Sequence, residues 1–186
     1  MPKITDARVL IIATHGFEQS ELETPLNELN AKGATVTVAT LDGENIRGWD
    51  TDDWGSQVNA DTRIDKVTEA DFDALVIPGG QINPDLLRVE DSVLTLVRAF
   101  YDAGKPIAAI CHAPWVLIEA GILKGRDATS FKSIATDVKN AGAKWKDHEV
   151  VVDQAIITSR NPGDLDAFVG KIVEEIEEGP HARRAA

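Results

Sequence analysis

A single cysteine, Cys111, occurs in this 186-residue chain, between the apolar run Ile107-Ala108-Ala109-Ile110 and a helical stretch that opens at Ala113. Ligands of open α/β sheets gather at the carboxyl ends of strands, and a tight strand-to-helix turn can hold a nucleophile exposed. A lone thiol among apolar neighbours also suits a small core hydrophobe. The adjacent His112 serves as a general base if the turn splays both side chains into one cleft; otherwise its ring is cleft wall and only its N–H matters. Pro78-Gly79-Gly80 closes another apolar run. Lacking side chains, Gly79 and Gly80 can turn amides toward a substrate and, with the His112 N–H, hold an oxyanion; the plainer reading is a strand-ending turn.

Past the first apolar run comes His15-Gly16-Phe17-Glu18, which would share the same sheet edge. Of the nearby acids Glu18, Glu21, Glu23 and Glu28, most read as solvated helix charges, and Glu18, at the strand end, is best placed to aim at the cysteine. A thiol of ordinary pKa, ~8.5, is only a few per cent ionised at neutral pH. A helix N-terminus after Cys111 favours the anion, whereas an ionised Glu18 repels it. The pair works only if Glu18 keeps its proton and donates a hydrogen bond to the sulfur, so the expectation is a raised Glu18 and a lowered Cys111. His15 reads as a turn residue, His148 as part of an exposed turn and His181 as tail. No metal-ligand spacing links them, and no metal or cofactor is expected.

The elements that must position these groups are short apolar runs alternating with helical periods. Val9-Leu10-Ile11-Ile12-Ala13 is a buried strand, Leu22, Leu26 and Leu29 mark a helix stopped by Lys32-Gly33, and Thr35-Val36-Thr37-Val38-Ala39 is a second strand, which makes a parallel βαβ opening. Ser20-Glu21-Leu22-Glu23 matches a capping box, yet Pro25 either kinks this helix or begins its regular part after Thr24. Residues 42–63, rich in Gly, Asp and Asn, form a hairpin or long loop carrying Trp49 and Trp54, which could cover a dimer interface. Trp115 and Trp145 read as packing residues. Ala74-Leu75-Val76-Ile77 and residues 107–110 are further buried strands, with a helix around Val93, Val97 and Phe100 between them. Later come a polar helix at 136–140, strands near 150–152 and 156–158, and a final helix striped by Leu165, Phe168, Val169, Ile172, Val173 and Ile176. The acids at its end read as a solvated face. The class is α/β, three layers, with residues 1–178 as one domain and 179–186 as a disordered tail.

Composition narrows the partners. A net charge of −12 opposes tight nucleic-acid or anionic-membrane binding. One cysteine permits no internal disulfide, and no apolar run approaches the ~20 residues of a membrane span. A cytoplasmic protein is expected.

Ala109-Ile110-Cys111-His112-Ala113-Pro114, Pro78-Gly79-Gly80, Phe17-Glu18-x-x-Glu21-Leu22, Gly104-Lys105-Pro106 and Thr158-Ser159-Arg160 with Pro162 and Asp164-Leu165 together resemble the PfpI-type intracellular protease and deglycase family, in the class I glutamine amidotransferase-like superfamily. The resemblance runs from Arg8 to about Ile176. It implies a flavodoxin-like sandwich with a mainly parallel central sheet and a nucleophile elbow, a nucleophilic Cys111 beside His112, an acidic partner at Glu18, and homodimers or larger rings. The family commonly has glycine where this chain has Ala113. Its proteolytic members orient the histidine with an acid from a neighbouring subunit, and the best matching position here is Asp85.

The function implied is cysteine-dependent hydrolysis of methylglyoxal or glyoxal, free or as early amine adducts, in protection against stress. The alternatives are an intracellular cysteine peptidase using Cys111 and His112, and a non-enzymatic redox sensor acting through oxidation of Cys111.

Overall fold

The structure is a computed structural model and describes residues 2–181. Eleven strands are present among them: β1 (Arg8–Ile12), β2 (Thr35–Thr40), β3 (Ile46–Asp50), β4 (Asp53–Val58), β5 (Thr62–Arg63), β6 (Ala74–Ile77), β7 (Ile107–Ile110), β8 (Asp127–Ala128), β9 (Lys144–Trp145), β10 (Val150–Asp153) and β11 (Ile156–Ser159). The helices are α1 (Gln19–Ala31), α2 (Ile82–Leu87), α3 (Asp91–Asp102), α4 (Pro114–Glu119), α5 (Ala135–Asn140) and α6 (Leu165–Glu178).

The main sheet runs β10-β11-β7-β6-β1-β2-β5, and only β10 is antiparallel to its neighbour. Its central strands are apolar throughout because both faces are covered. Successive residues serve opposite layers: Leu10, Ile12, Leu75, Ile77, Ile107 and Ala109 pack with Val93, Val97 and Phe100 of α3. Their neighbours Val9, Ile11, Val76, Ala108 and Ile110 pack with Leu22 and Leu29 of α1 and with Phe168, Val169 and Ile172 of α6. Three layers follow from this period of two. The five parallel strands β2-β1-β6-β7-β11 have the flavodoxin-like order, which reverses direction between β1 and β6. A crevice opens there at the strand carboxyl ends, and Gly79 and Cys111 lie at its edge.

The sequence left open where α1 begins. It starts at Gln19, after Glu18 as N-cap, and Pro25 lies inside it, buried. Pro25 has no N–H to return to the Glu21 carbonyl one turn back, and packing carries that turn instead. The helix stops at Gly33, whose φ of +96° lets Ala34 bond back to Leu29 at 3.0 Å. Residues 42–63 contain the hairpin β3–β4, in which Trp49 faces Trp54. Helix α2, directly after Gly80-Gln81, was not foreseen; it is only six residues long and too short to show a period.

Two readings of the C-terminal region change. Glu175 is not solvated: it is 6% exposed and three residues from buried Ile172 on the striped face of α6. In the segment expected to be loose, the His181 N–H donates to Gly104 O at 2.9 Å and its ring lies 3.0 Å from Glu175. Residues 182–186 lie outside the described residues. Among the described residues no helix is long and apolar enough to cross a membrane.

One buried amide joins the two strand ends that frame the crevice. Asn83 Oδ1 accepts the Thr14 N–H at 2.7 Å, and Asn83 Nδ2 donates to Pro78 O at 2.7 Å. Asn83→Ala leaves a buried donor and acceptor unpaired, and is expected to lower stability by about 2–3 kcal/mol in urea unfolding. A change within ±0.5 kcal/mol would contradict this role.

Candidate active site

Cys111 sits at a nucleophile elbow. Its φ is +64°, a left-handed conformation that costs a non-glycine residue roughly 1–3 kcal/mol and must be held from outside. Both backbone groups are held: the Cys111 N–H donates to Ser159 O at 3.0 Å, and Cys111 O accepts from the Phe131 N–H at 2.8 Å. The following Ala113 has φ −57° and is fully buried, so no glycine is needed at that point of the turn.

The acid beside the sulfur is Glu21, where position in the sequence favours Glu18. Glu21 lies in the first turn of α1 with its side chain wholly buried. Its Oε2 accepts the Gly79 N–H at 2.9 Å, and the carboxyl is within hydrogen-bonding reach of the Cys111 thiol. Its other oxygen, Oε1, is buried and accepts no hydrogen bond. A buried bare carboxylate oxygen is costly, whereas a protonated one aimed at a thiolate is satisfied. Gly79 is required for this approach: a Cβ there would stand 2.5 Å from Glu21 Oε2 and 2.6 Å from Cys111 Cβ. Gly80, with φ +79°, turns its own amide toward the sulfur, and the His112 amide joins it. Gly79 therefore serves the acid, while Gly80 and His112 hold the donors available to an oxyanion.

Burial raises the Glu21 carboxyl to about 8, with the Glu18 charge adding to it and the Gly79 amide acting against. At neutral pH the proton stays on Glu21. Burial also pushes the Cys111 thiol up, an ionised Glu21 would push it further, and the Gly80 and His112 amides pull it back. The lowering expected from a helix N-terminus is opposed here by burial, and α4 has only six residues to supply it. The reactive microstate is the thiolate beside a protonated Glu21, stabilised by those two amides.

His112 is the base candidate. Its Nδ1 is 3.1 Å from Cys111 Sγ and its Nε2 is 3.0 Å from Ser133 Oγ. Burial lowers its pKa, so the ring is neutral and able to take the thiol proton. The ring stacks on Phe131 at 4.9 Å and meets Trp115 edge-on. Ser133, the residue that orients this histidine, carries no signal in the sequence beyond a small polar side chain. Asp85 pairs at 2.9 Å with Arg88, the C-cap of its helix.

Above the sulfur lies a pocket of about 560 Å³ lined by Glu18, Glu21, Gly80, Cys111 and His112, with Trp49, Thr51, Ile82 and Phe131 among the walls. The hairpin that supplies Trp49 is tied to the loop after β1: the Trp49 N–H donates to Phe17 O at 2.7 Å, the Gly16 N–H to Arg47 O at 2.9 Å, and the Arg47 N–H to His15 Nδ1 at 3.1 Å. The one group of possible metal ligands among the described residues, Glu175, Glu178 and His181, is remote from this pocket, beside Gly104 before β7, and its histidine is already paired with Glu175.

The model of the DJ-1/PfpI family matches residues 7–175, with the elbow, the glycine pair and the acid-bearing helix inside that span. The chain belongs to this family. It is 44% identical over 167 residues to the deglycase TK1284 of Thermococcus kodakarensis, covering 90% of this chain and 98% of that one. It is 42% identical over 163 residues to protein/nucleic acid deglycase 2 of Escherichia coli, covering 87% and 92%. The crystal structure of Drosophila melanogaster DJ-1beta superposes with a TM-score of 0.83 at 33% identity, over 96% of this chain and 95% of that one.

In this family member the buried acid makes stability depend on pH. Glu21 rises from an ordinary 4.5 to about 8 on folding, so the native state binds its proton more tightly than the unfolded chain does. The associated stability is complete below pH ~4.5 and is lost as pH rises through ~8. Urea unfolding of the native chain is expected to weaken between pH 5 and 8, by on the order of 3 kcal/mol relative to Glu21→Gln, which holds the same hydrogen bonds without a charge. Parallel profiles would contradict a protonated Glu21.

Proposed function

We propose that this DJ-1/PfpI family member is a cysteine-dependent hydrolase of reactive-carbonyl adducts, a deglycase with glyoxalase-like turnover of methylglyoxal or glyoxal. The observation that carries this reading is the buried Glu21 carboxyl at the Cys111 sulfur, under a pocket sized for a small substrate. His112 takes the thiol proton and the sulfur adds to the aldehyde carbon, or displaces the amine from a hemiaminal as the C–N bond breaks and the amine leaves with a proton. The Gly80 and His112 amides hold the oxyanion until it is protonated. A proton then moves from the sulfur-bearing carbon to its neighbour through an enediol, so the first carbon is oxidised and the second reduced with no outside oxidant. Glu21 and His112 are the groups within reach to carry it. Water cleaves the resulting thioester, releasing lactate or glycolate and restoring the thiol.

For the peptidase alternative, within one chain the Nε2 side of His112 meets Ser133, a hydroxyl and not an acid. The redox-sensor alternative uses the same Cys111 thiol at the floor of the same pocket. Our reading includes a cytoplasmic setting, a role in carbonyl-stress protection, and a homo-oligomer. The exposed Ile82, Leu86 and Val89, at helical spacing on and just beyond α2, favour self-association.

Methylglyoxal consumption with lactate release by the native chain, lost by at least ~1000-fold in Cys111→Ser, is the expected result, alongside an undigested casein control. Turnover that persists in Cys111→Ser, or casein cleavage without carbonyl turnover, would overturn the reading.

A further inference from the structure

The end of α6 carries a group of side chains that the chemistry at Cys111 does not use. Glu175 and Glu178, three residues apart, share one face of the helix. Gly179 ends the helix at φ +85°, and the chain turns through Pro180 to bring His181 back over that face. The turn is held from outside, because the His181 N–H donates to Gly104 O at 2.9 Å. Gly104 sits at φ +72°, and any Cβ there would collide with the His181 carbonyl. His181 Nε2 consequently stands 3.0 Å from Glu175 Oε2 and 3.5 Å from a Glu178 carboxylate oxygen. Two glycines and a backbone hydrogen bond thus place one imidazole against two acids.

Glu175 and His181 are at ion-pair distance, yet Glu175 Oε2 and His181 Nε2 are both buried atoms without a hydrogen-bond partner. Glu175 as a whole is 6% exposed, and an unsatisfied carboxylate oxygen at that depth is costly. Two buried ligating atoms that face each other without the alignment of donor and acceptor suit a shared cation. Negative charge is in excess around them. The only basic residue of α6, Lys171, pairs with Glu174 at 2.6 Å, and the carbonyl end of the helix adds to the acids. We propose that Glu175, Glu178 and His181 bind a divalent transition-metal ion, Zn2+ by preference, which clips the segment after α6 against the turn that precedes β7. One imidazole nitrogen with two carboxylate oxygens matches zinc, whereas Mg2+ and Ca2+ call for six or more oxygens. Tetrahedral bonds of ~2.1 Å put ligand atoms about 3.4 Å apart, close to the 3.0 and 3.5 Å found here. All three candidate ligand atoms lie within 4.8 Å of one another, and the exposed flank of Glu178 leaves a fourth position to water. Glu178 and His181 lie past the residues 7–175 that the family model matches.

Calorimetric titration of the full chain with zinc chloride tests the site independently of any turnover. Cys111→Ser removes the thiol as a competing ligand, and this variant is expected to bind one equivalent of Zn2+. Adding His181→Ala or Glu178→Gln, neither of which opens the core, should weaken that binding by at least about tenfold. Zn2+ should also raise the Tm of the native chain and leave that of His181→Ala unmoved, while Mg2+ moves neither. Zinc binding that is absent from Cys111→Ser, or that is unchanged when His181→Ala is added to it, would overturn the proposal. So would a Zn2+ effect on Tm that persists in Cys111→Ser/His181→Ala.

Discussion

A carboxyl group buried against a thiol, with a backbone amide on its far side, is the constraint around which this molecule is arranged. Glu21 takes a place on the inner face of α1 that an apolar residue would otherwise fill, next to Leu22 and one turn before Pro25. The Gly79 amide satisfies one of its oxygens. The other is buried without a hydrogen-bond partner, a position acceptable to a carboxyl that carries a proton. From this follow the glycine at 79, where a Cβ cannot fit, and the left-handed backbone at Cys111, which brings the sulfur to the carboxyl. Hydrogen bonds to Ser159 O and from the Phe131 N–H at the two sides of the elbow keep that strained residue in place.

The sheet was readable because its strands are buried on both faces. Runs such as Ala74–Ile77 and Ile107–Ile110 have no competing helical reading at that length, and each ends in turn residues. Cys111, His112, Gly79 and Gly80 were legible for the same reason, since a strand end in this class faces the ligand crevice. The choice of acid was not. Chain proximity to β1 favours Glu18, but once α1 is known to start at Gln19 the buried face runs Glu21, Leu22, Pro25, Leu29. Reading Pro25 as part of the buried stripe, four residues before Leu29, and stepping back four more lands on Glu21, a glutamate where the stripe is otherwise apolar. Ser133 could not have been found this way. It meets His112 through the packing of a short 3-10 turn, 21 residues downstream, with no local pattern to announce it.

Electrostatically the site is built without an ion pair. His112 is buried, neutral and steadied by a hydroxyl, so the thiol does not rest as a thiolate–imidazolium pair. A thiolate at Cys111 faces two backbone amides and an uncharged acid. Formal negative charge is displaced to the rim, where the β3–β4 hairpin brings Trp49 and Asp50 alongside Glu18. Such a division leaves the reacting atoms neutral and the entrance acidic.

The proton on Glu21 is open to direct observation. Infrared difference spectra between the native chain and Glu21→Gln, recorded from pH 5 to 10, isolate the carbonyl stretch of this one carboxylic acid. The account predicts a protonated-carboxyl band that is present at pH 7 and disappears with a midpoint near 8. A band already lost by pH 6 would mean that Glu21 is ionised beside the sulfur, and would contradict the account.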